Sequence, residues 1–145
     1  MYKVKTKVSF EAAHRLYNID TYSKECRDNL HGHSYKVEVV VGADNLNSAG
    51  MVIDFKLLKT VIRTEIESKY DHSCILRKCD PIAGTIKDNC KKVILVDESP
   101  TAEWMSKEFY DMIESKIHEY YSDLHVVSIG VQETENNIAY YLPEA

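Results

Sequence analysis

The sequence of 145 residues lacks long apolar runs, an excess of basic residues and closely spaced cysteine pairs. No stretch approaches the roughly 18 consecutive apolar residues of a membrane-spanning helix, and the first residues lack the apolar core of a signal peptide. These absences predict a cytoplasmic protein without a membrane partner. The formal net charge of -5 argues against a basic nucleic-acid-binding surface, so we expect no nucleic-acid partner.

The four cysteines include no Cys-X-X-Cys pair, which disfavours a structural zinc knuckle. In a reducing cytoplasm they are expected to remain thiols. Cys74, Cys79 and Cys90 lie close together in the sequence and could form a distorted metal site, although ordinary thiols are the better interpretation. Cys26 stands apart, because it lies five residues before His31 in a polar stretch that predicts a loop.

Periodic apolar residues predict four strands and two long helices. Strict alternation is typical of a strand with one buried face, and spacings of three or four residues are typical of a helix packed on a sheet. Asp54 suits the N-cap of a helix that continues to about Tyr70, and Ser99 with Pro100 suits the start of the second helix. The predicted strands are Tyr2–Phe10, continued to a close at His14, then about His31–Val41, Leu124–Thr134 and Ile138–Leu142.

The stretch between the two helices, residues 71–97, is the hardest to assign. It contains Pro81, Gly84 and the apolar run Val93–Val96, and we interpret it as an inserted hairpin. The resulting order, two strands, helix, hairpin, helix and two strands, predicts the α+β class. We expect a single domain over residues 1–145, in which a four-stranded antiparallel sheet carries two helices on one face.

Three histidines are the candidate metal ligands. His31 and His33 are two residues apart on a predicted strand, so their side chains lie on the same face and can hold one ion together. His14 closes the preceding strand and could supply a third nitrogen. Three histidines with one open coordination position are typical of a catalytic zinc, which uses that position for water or substrate. A His-X-His pair alone is weak evidence, because most histidines are ordinary surface or core residues.

Cys26 and the pair Asp71-His72 are the candidate proton-transfer groups. A zinc ion near Cys26 would favour the thiolate form, which could act as a general base or a nucleophile. The spacing also leaves open a closed site in which Cys26 is a fourth zinc ligand. A carboxylate beside an imidazole fixes its tautomer and orientation, as Asp71 could do for His72. Such pairs also occur by chance at helix ends.

Glu133 interrupts the apolar face of the third predicted strand, near its end. A carboxylate in this position is costly unless it meets a partner. A ligand with a guanidine-like edge, such as a pterin or a guanine, could be that partner through two parallel hydrogen bonds. The alternative is a glutamate at a strand end that reaches solvent.

Taken together, these residues resemble the 6-pyruvoyl-tetrahydropterin synthase and 6-carboxy-tetrahydropterin synthase family. Five motifs occur in the family's order and span nearly the whole chain. Each motif is weak by itself, but five in this order are specific. The motifs are Phe10-Glu11-Ala12-Ala13-His14-Arg15-Leu16, then Cys26 with His31-Gly32-His33, then Asp71-His72, then Pro100-Thr101-Ala102-Glu103, and finally Glu133-Thr134.

The resemblance implies a tunnelling fold that works as a homo-oligomer. Three subunits would join their four-stranded sheets into one β-barrel, and two such rings would stack, which gives a trimer or a hexamer. Active sites would lie at subunit interfaces. Zinc is the implied cofactor, and the implied zinc ligands are His14, His31 and His33.

The resemblance also assigns roles to the remaining site residues. Cys26 would be the thiolate that abstracts a proton, and Asp71 with His72 would be the partner acid/base relay. Glu133 would anchor the pterin ring. Thr101 and Glu103 would support the pocket more loosely.

The implied substrate is the small molecule 7,8-dihydroneopterin triphosphate. In one branch of the family triphosphate is eliminated and the product is 6-pyruvoyl-tetrahydropterin. In the other branch a carbon–carbon bond also breaks, which releases acetaldehyde and gives 6-carboxy-5,6,7,8-tetrahydropterin, a precursor of queuosine and other deazaguanines.

The motifs do not separate the two branches cleanly. The ending Glu133–Asn137 favours the pyruvoyl branch, whereas Pro100–Glu103 and the compact length favour the carboxy branch. The stretch between His72 and Pro100 is longer than in compact members. We favour the carboxy branch. A hypothesis of another class is a non-catalytic, zinc-stabilised protein that binds a purine or pterin, and a third is a structural domain with incidental histidines.

Overall fold

A computed structural model describes residues 1–144 and contains one curved, mixed sheet of six strands. The strand order across the sheet is β4-β3-β1-β2-β5-β6. The strands are β1 Tyr2–His14, β2 His31–Ala43, β3 Ser73–Arg77, β4 Val93–Val96, β5 His125–Thr134 and β6 Asn137–Tyr141.

The four predicted strands are β1, β2, β5 and β6, and they pair antiparallel in that order. In the β1–β2 pair, Tyr2 lies opposite Ala43 and His14 lies opposite His31. The last residue of β1 therefore faces the first residue of β2, which sets the position of the candidate metal ligands.

The predicted hairpin is wrong. β3 and β4 run parallel to each other and are joined by helix α4, Ala83–Asn89, and β3 also pairs parallel with β1. Parallel neighbours need a crossover connection, and residues 78–92 between the strands are long enough to hold a short helix. The sheet is therefore six-stranded and mixed, rather than the predicted four-stranded antiparallel sheet, although the α+β class is confirmed.

The two long helical segments cover one face of the sheet. The predicted helix after Asp54 is present as three consecutive pieces, and Asp54 accepts hydrogen bonds from Lys56 N and Leu57 N as its N-cap. The second long helix is capped by Thr101 instead of Ser99, because the Thr101 hydroxyl accepts the Trp104 N–H. The helices are α1 Lys24–Asp28, α2 Phe55–Ile62, a π-helical stretch Arg63–Glu67, α3 Ser68–Tyr70, α4 and α5 Ala102–Tyr120.

The main core lies between this covered face and the helices, and aromatic rings fill its end nearest the histidines. Phe10 stacks on Tyr35 with ring centroids 4.9 Å apart, and Phe109 approaches Phe10 edge-on at 5.9 Å. All three side chains are buried. Such pairs contribute about 0.5–1.5 kcal/mol beyond their buried area, so they hold β1 and β2 firmly against α5.

The opposite face of the sheet carries charged side chains. Lys5 and Lys7 reach Glu38 at 3.2 and 3.3 Å, and the Tyr140 hydroxyl donates to Glu38 at 2.7 Å. Across residues 1–144, no helix has both the length and the apolar character needed to cross a membrane.

Candidate metal centre and active site

The three candidate histidines converge at the shared end of β1 and β2. His14 and His31 are directly paired, and His33 projects from the same face two residues further along β2. One ligand nitrogen from each ring lies within 4.8 Å of the other two. The Nε2 atoms of His14 and His31 are 3.1 Å apart. The strand pairing therefore brings together three residues that are separated in the sequence.

Backbone carbonyls orient two of these rings. His14 Nδ1 lies 2.8 Å from Pro100 O, and His31 Nδ1 lies 2.8 Å from Asn29 O. A carbonyl only accepts, so each Nδ1 carries the proton and donates it. Both Nε2 atoms then present lone pairs to each other, which is unfavourable unless a cation lies between them. Such outer hydrogen bonds are typical of histidines that bind a metal.

Spacing and burial also fit a metal. Tetrahedral zinc with Zn–N bonds of about 2.0–2.1 Å separates its nitrogen ligands by about 3.3 Å, close to the distance between His14 and His31. His33 Nε2 is buried and makes no hydrogen bond. A buried polar atom without a partner is costly, and coordination of an ion would satisfy it. The donor set therefore fits zinc.

Burial favours the neutral form of His14 and His33, which is the form that binds metals. Loss of hydration lowers the pKa of His14 to about 4, and the carbonyl of Pro100 only partly opposes this effect. Burial also lowers the pKa of His33, although the carboxylate of Glu133 acts in the opposite direction. The lone pairs are therefore available at neutral pH.

Glu133 lies at the edge of the histidine cluster. Its Oε1 atom is 3.3 Å from His14 Nε2 and 3.5 Å from His33 Nε2. Its side chain is 29% exposed, so one end contacts the histidines while the other remains accessible. The prediction that Glu133 meets a ligand with a guanidine-like edge, and with it the role of pterin anchor, stays a prediction.

Cys26 lies on a short helix instead of the predicted loop. α1 is held to the end of β1 because Leu16 N donates to Cys26 O at 3.0 Å. Cys26 is half-buried and is not part of the cluster of mutually close metal donors. The alternative in which Cys26 is a fourth zinc ligand therefore has no support in the geometry of residues 1–144.

Asp71 and His72 form a contact pair next to β1. Asp71 Oδ2 lies 3.0 Å from His72 Nδ1, and Asp71 Oδ1 accepts the Glu11 N–H at 2.9 Å. That backbone hydrogen bond, followed by the contact with His72, lowers the pKa of Asp71. His72 adopts a left-handed backbone with φ of 60°, and its side chain is 80% exposed. His72 and His33 both line a shallow cavity of about 400 Å³.

The remaining predicted residues, Thr101 and Glu103, lie near the start of α5 and outside the histidine cluster. Thr101 caps α5, and its neighbour Pro100 supplies the carbonyl that orients His14. Glu103 is exposed in the first turn of α5. Within residues 1–144, no hydrogen bond or ion pair joins Glu103 to the histidine cluster.

Sequence reasoning missed two supporting contacts. The Tyr35 hydroxyl lies 3.3 Å from His14 Nδ1, and its position two residues after His33 on the same face was a usable signal. Arg15 and Asp80 form a two-point ion pair beside His14, and Arg15 also donates to Asp28 O at 3.4 Å. Nothing in the local sequence links Arg15 to a residue 65 positions away.

Residues 3–144 match the sequence model of the 6-pyruvoyl tetrahydropterin synthase family. The chain belongs to this family. Two relatives are named 6-carboxy-5,6,7,8-tetrahydropterin synthase. The one from Aquifex aeolicus is 35% identical, with 93% of this chain and 94% of the relative covered. The one from Rickettsia conorii is 32% identical, with 94% and 96% covered.

Solved structures share the fold of the family. An uncharacterized protein of Wolinella succinogenes matches with a TM-score of 0.84 and 22% identity, covering 99% of this chain and 98% of that chain. The 6-pyruvoyl tetrahydropterin synthase of Plasmodium vivax matches with a TM-score of 0.72 and 19% identity over the full length of both chains. At these identities the likeness concerns the fold alone.

Proposed function

We propose that the protein converts 7,8-dihydroneopterin triphosphate and water to 6-carboxy-5,6,7,8-tetrahydropterin, acetaldehyde and triphosphate. The observation that carries the proposal is the convergence of His14, His31 and His33 beside Glu133 in a member of this family. The names of the relatives from Aquifex aeolicus and Rickettsia conorii favour the carboxy product. The protein would thus be a zinc-dependent lyase of queuosine biosynthesis.

His14, His31 and His33 would hold the zinc ion. A zinc ion with three protein ligands supplies a Lewis acid that stabilises negative charge on oxygen atoms of the substrate. The protein's contribution is to hold three imidazoles close together before the ion arrives. The carbonyls of Pro100 and Asn29 support that role, because they hold the protons of two rings on Nδ1.

Cys26 and His72 would move the protons. Carbon-bound protons of the hydroxylated side chain must be removed before triphosphate can leave and the pterin ring can be reduced. Cys26 would remove one as a thiolate, and His72, oriented by Asp71, would return or accept the next. A cysteine on α1 and a histidine after α3 divide these tasks between two separate elements.

The exposure of His72, which makes no hydrogen bond to Cys26 within residues 1–144, supports an oligomeric active site. The side chain of His72 is 80% exposed. We infer that His72 of one subunit completes the site of its neighbour in a homotrimer or hexamer. The family resemblance likewise implies a multi-subunit enzyme, and we expect it to be cytoplasmic.

Glu133 would anchor the pterin ring through its guanidine-like edge. A carboxylate next to the metal donors would place the side chain of a bound pterin at the zinc ion, since ring and side chain are adjacent in the substrate. Two parallel hydrogen bonds to a carboxylate are directional and strong. Thr101 and Glu103 would act less directly, by fixing the start of α5 and by lining the approach.

Two other functions remain distinguishable. A 6-pyruvoyl-tetrahydropterin synthase is favoured by the name of the matching family and by the ending Glu133–Asn137. A non-catalytic pterin- or purine-binding protein would use the same histidines and Glu133 without turnover. The carboxy product is preferred because the relatives from Aquifex aeolicus and Rickettsia conorii, at 35% and 32% identity, are both named for it.

One experiment separates these functions. The zinc-loaded protein is incubated with 7,8-dihydroneopterin triphosphate, and the products are followed by mass spectrometry together with an assay for acetaldehyde. The proposal expects equal amounts of acetaldehyde and 6-carboxy-5,6,7,8-tetrahydropterin. A pyruvoyl product without acetaldehyde would replace it with the first alternative, and tight binding without product would replace it with the second.

A further inference from the structure

We propose that the protein has a second binding site for a transition-metal ion, built by Glu114, His118 and His125. One ligand atom from each of these residues lies within 4.8 Å of the other two. Glu114 Oε1 is 3.3 Å from His118 Nε2 and 3.7 Å from His125 Nδ1. The cluster shares no residue with the three-histidine site, and the family reaction proposed above does not use it.

Secondary structure fixes the three donors before any ion binds. Glu114 and His118 are four residues apart on α5 and therefore lie on one face of the helix. His125 is the first residue of β5, which starts after the chain has turned at the end of α5. The two imidazole rings lie 5.4 Å apart at nearly right angles, so both can direct a nitrogen toward Glu114.

A backbone hydrogen bond orients the carboxylate. Val126 N donates to Glu114 Oε2 at 2.6 Å, which leaves Oε1 directed toward the two histidines. Metal-binding carboxylates are commonly fixed in this way by a hydrogen bond to the oxygen that does not bind the ion. Glu114 is the least exposed of the three side chains, at 19%, whereas His118 and His125 are 42% and 60% exposed.

A proton now occupies the place that a metal would take. His118 Nε2 lies 3.0 Å from Leu124 O and 3.3 Å from Glu114 Oε1, and both oxygens are acceptors. The nitrogen therefore carries a proton that it shares between them. An ion that displaces this proton would find two nitrogens and one carboxylate oxygen around it, with the carbonyl oxygen of Leu124 beside His118.

The donor types select the class of ion. Imidazole nitrogens favour zinc, copper, nickel and cobalt, whereas magnesium and calcium prefer oxygen ligands only. The exposed histidines make the site accessible and its ion exchangeable, in contrast to the three-histidine cluster, where His14 is buried and His31 and His33 are partly buried. A bound ion would link the second half of α5 to the start of β5 and would stabilise that junction against thermal unfolding.

Cobalt titration tests the site directly, because cobalt reports its ligands through visible absorption. We expect the intact protein to bind a second equivalent of cobalt, weaker than the first. His125→Ala removes only an exposed ring, so the fold should survive, and it should weaken the second equivalent at least tenfold while leaving the first unchanged. His72→Ala, which removes another exposed histidine, is the matched control and should bind both equivalents.

A double variant distinguishes a failure of this second site from a failure of the proposed enzymatic function. This variant, His31→Ala with His33→Ala, should lose the first equivalent and keep the one that depends on His125. Saturation at one equivalent in the intact protein, or a second equivalent that His125→Ala leaves unchanged, would overturn the inference. Thermal unfolding of the same variants, with and without zinc, gives an independent readout, because only proteins with His125 should gain the extra rise in Tm.

Discussion

Asp80 and Arg15 join the segment between β3 and α4 to the end of the strand that carries His14. Arg15 Nε donates to Asp80 Oδ2 at 2.6 Å, and its terminal nitrogen contacts Asp80 Oδ1. The Asp80 side chain is completely buried and the Arg15 side chain is 13% exposed. The same Arg15 reaches Asp28 O on the helix that carries Cys26. The inserted β3–α4–β4 unit therefore supports the candidate site from outside.

Neutralising this ion pair should destabilise the protein. Asp80→Asn leaves the Arg15 guanidinium without its charge partner in a buried position, so we expect the free energy of unfolding to fall by about 3 kcal/mol. Urea denaturation followed by circular dichroism measures the change. Asp97→Asn is the control, because the Lys78–Asp97 pair in the same segment is exposed at both ends and should change stability by no more than about 0.5 kcal/mol.

Zinc content should depend on the three histidines and not on His72. His33→Ala removes a donor whose Nε2 is buried without a hydrogen bond, so the variant should retain far less zinc after dialysis. Metal analysis of freshly purified protein gives the ratio of zinc to chain at the three-histidine site. His72→Ala should keep the wild-type ratio, since His72 lies outside the cluster. Full zinc retention in His33→Ala would contradict the assignment.

Cys26→Ala should abolish most turnover without loss of zinc or fold. Loss of a positioned general base typically slows catalysis by about 10²–10⁴-fold, and Cys26 is neither a core residue nor one of the clustered donors. Initial rates, zinc content and thermal unfolding are measured on the same preparation. Cys79→Ala, which removes an exposed thiol, should behave like the wild type. A near-normal rate for Cys26→Ala would exclude its proposed role.

Acid should weaken the contacts that Lys5, Lys7 and Tyr140 make with Glu38, on the sheet face opposite the helices. The Tyr140 hydroxyl, and then Lys5 and Lys7, lower the pKa of Glu38 below its ordinary value of 4.5. A carboxylate with a lowered pKa stabilises the folded state above pH 4.5, and this contribution is lost as the pH falls through the folded-state pKa. The stability difference between wild type and Glu38→Gln should therefore shrink below pH 4.5. Denaturation curves at several pH values measure it, and a constant difference would contradict the assignment.

The sequence predicted the elements that depend on periodicity or capping. Alternation located β1, β2, β5 and β6, and Asp54 marked the start of α2. The convergence of His14 with His31 also followed from the sequence, because the alternation of apolar residues shows that one strand ends at His14 and the next begins at His31. Periodicity and capping are sufficient to predict a contact when the two residues are neighbours along the chain or lie opposite each other on paired strands.

Long-range partners could not be predicted in the same way. The parallel pairing of β3 with β1 depends on which edge of the sheet is free, and no residue in Ser73–Arg77 encodes that choice. The Pro100 carbonyl that orients His14 belongs to a residue 86 positions away. With the cap at Thr101 instead of Ser99, Pro100 stays outside the helix, and its carbonyl is the one that accepts from His14.

The left-handed backbone of His72 has a consequence for engineering. Only glycine, and to a lesser degree asparagine, adopts a φ of 60° without a steric penalty, and the penalty for other residues is of order 1 kcal/mol or more. A selection for heat-resistant variants should therefore enrich His72→Gly and His72→Asn, and each would remove the imidazole proposed to carry protons. Thermostability screens of this protein need a parallel screen for turnover, because at this position the more robust chain would be the inactive one.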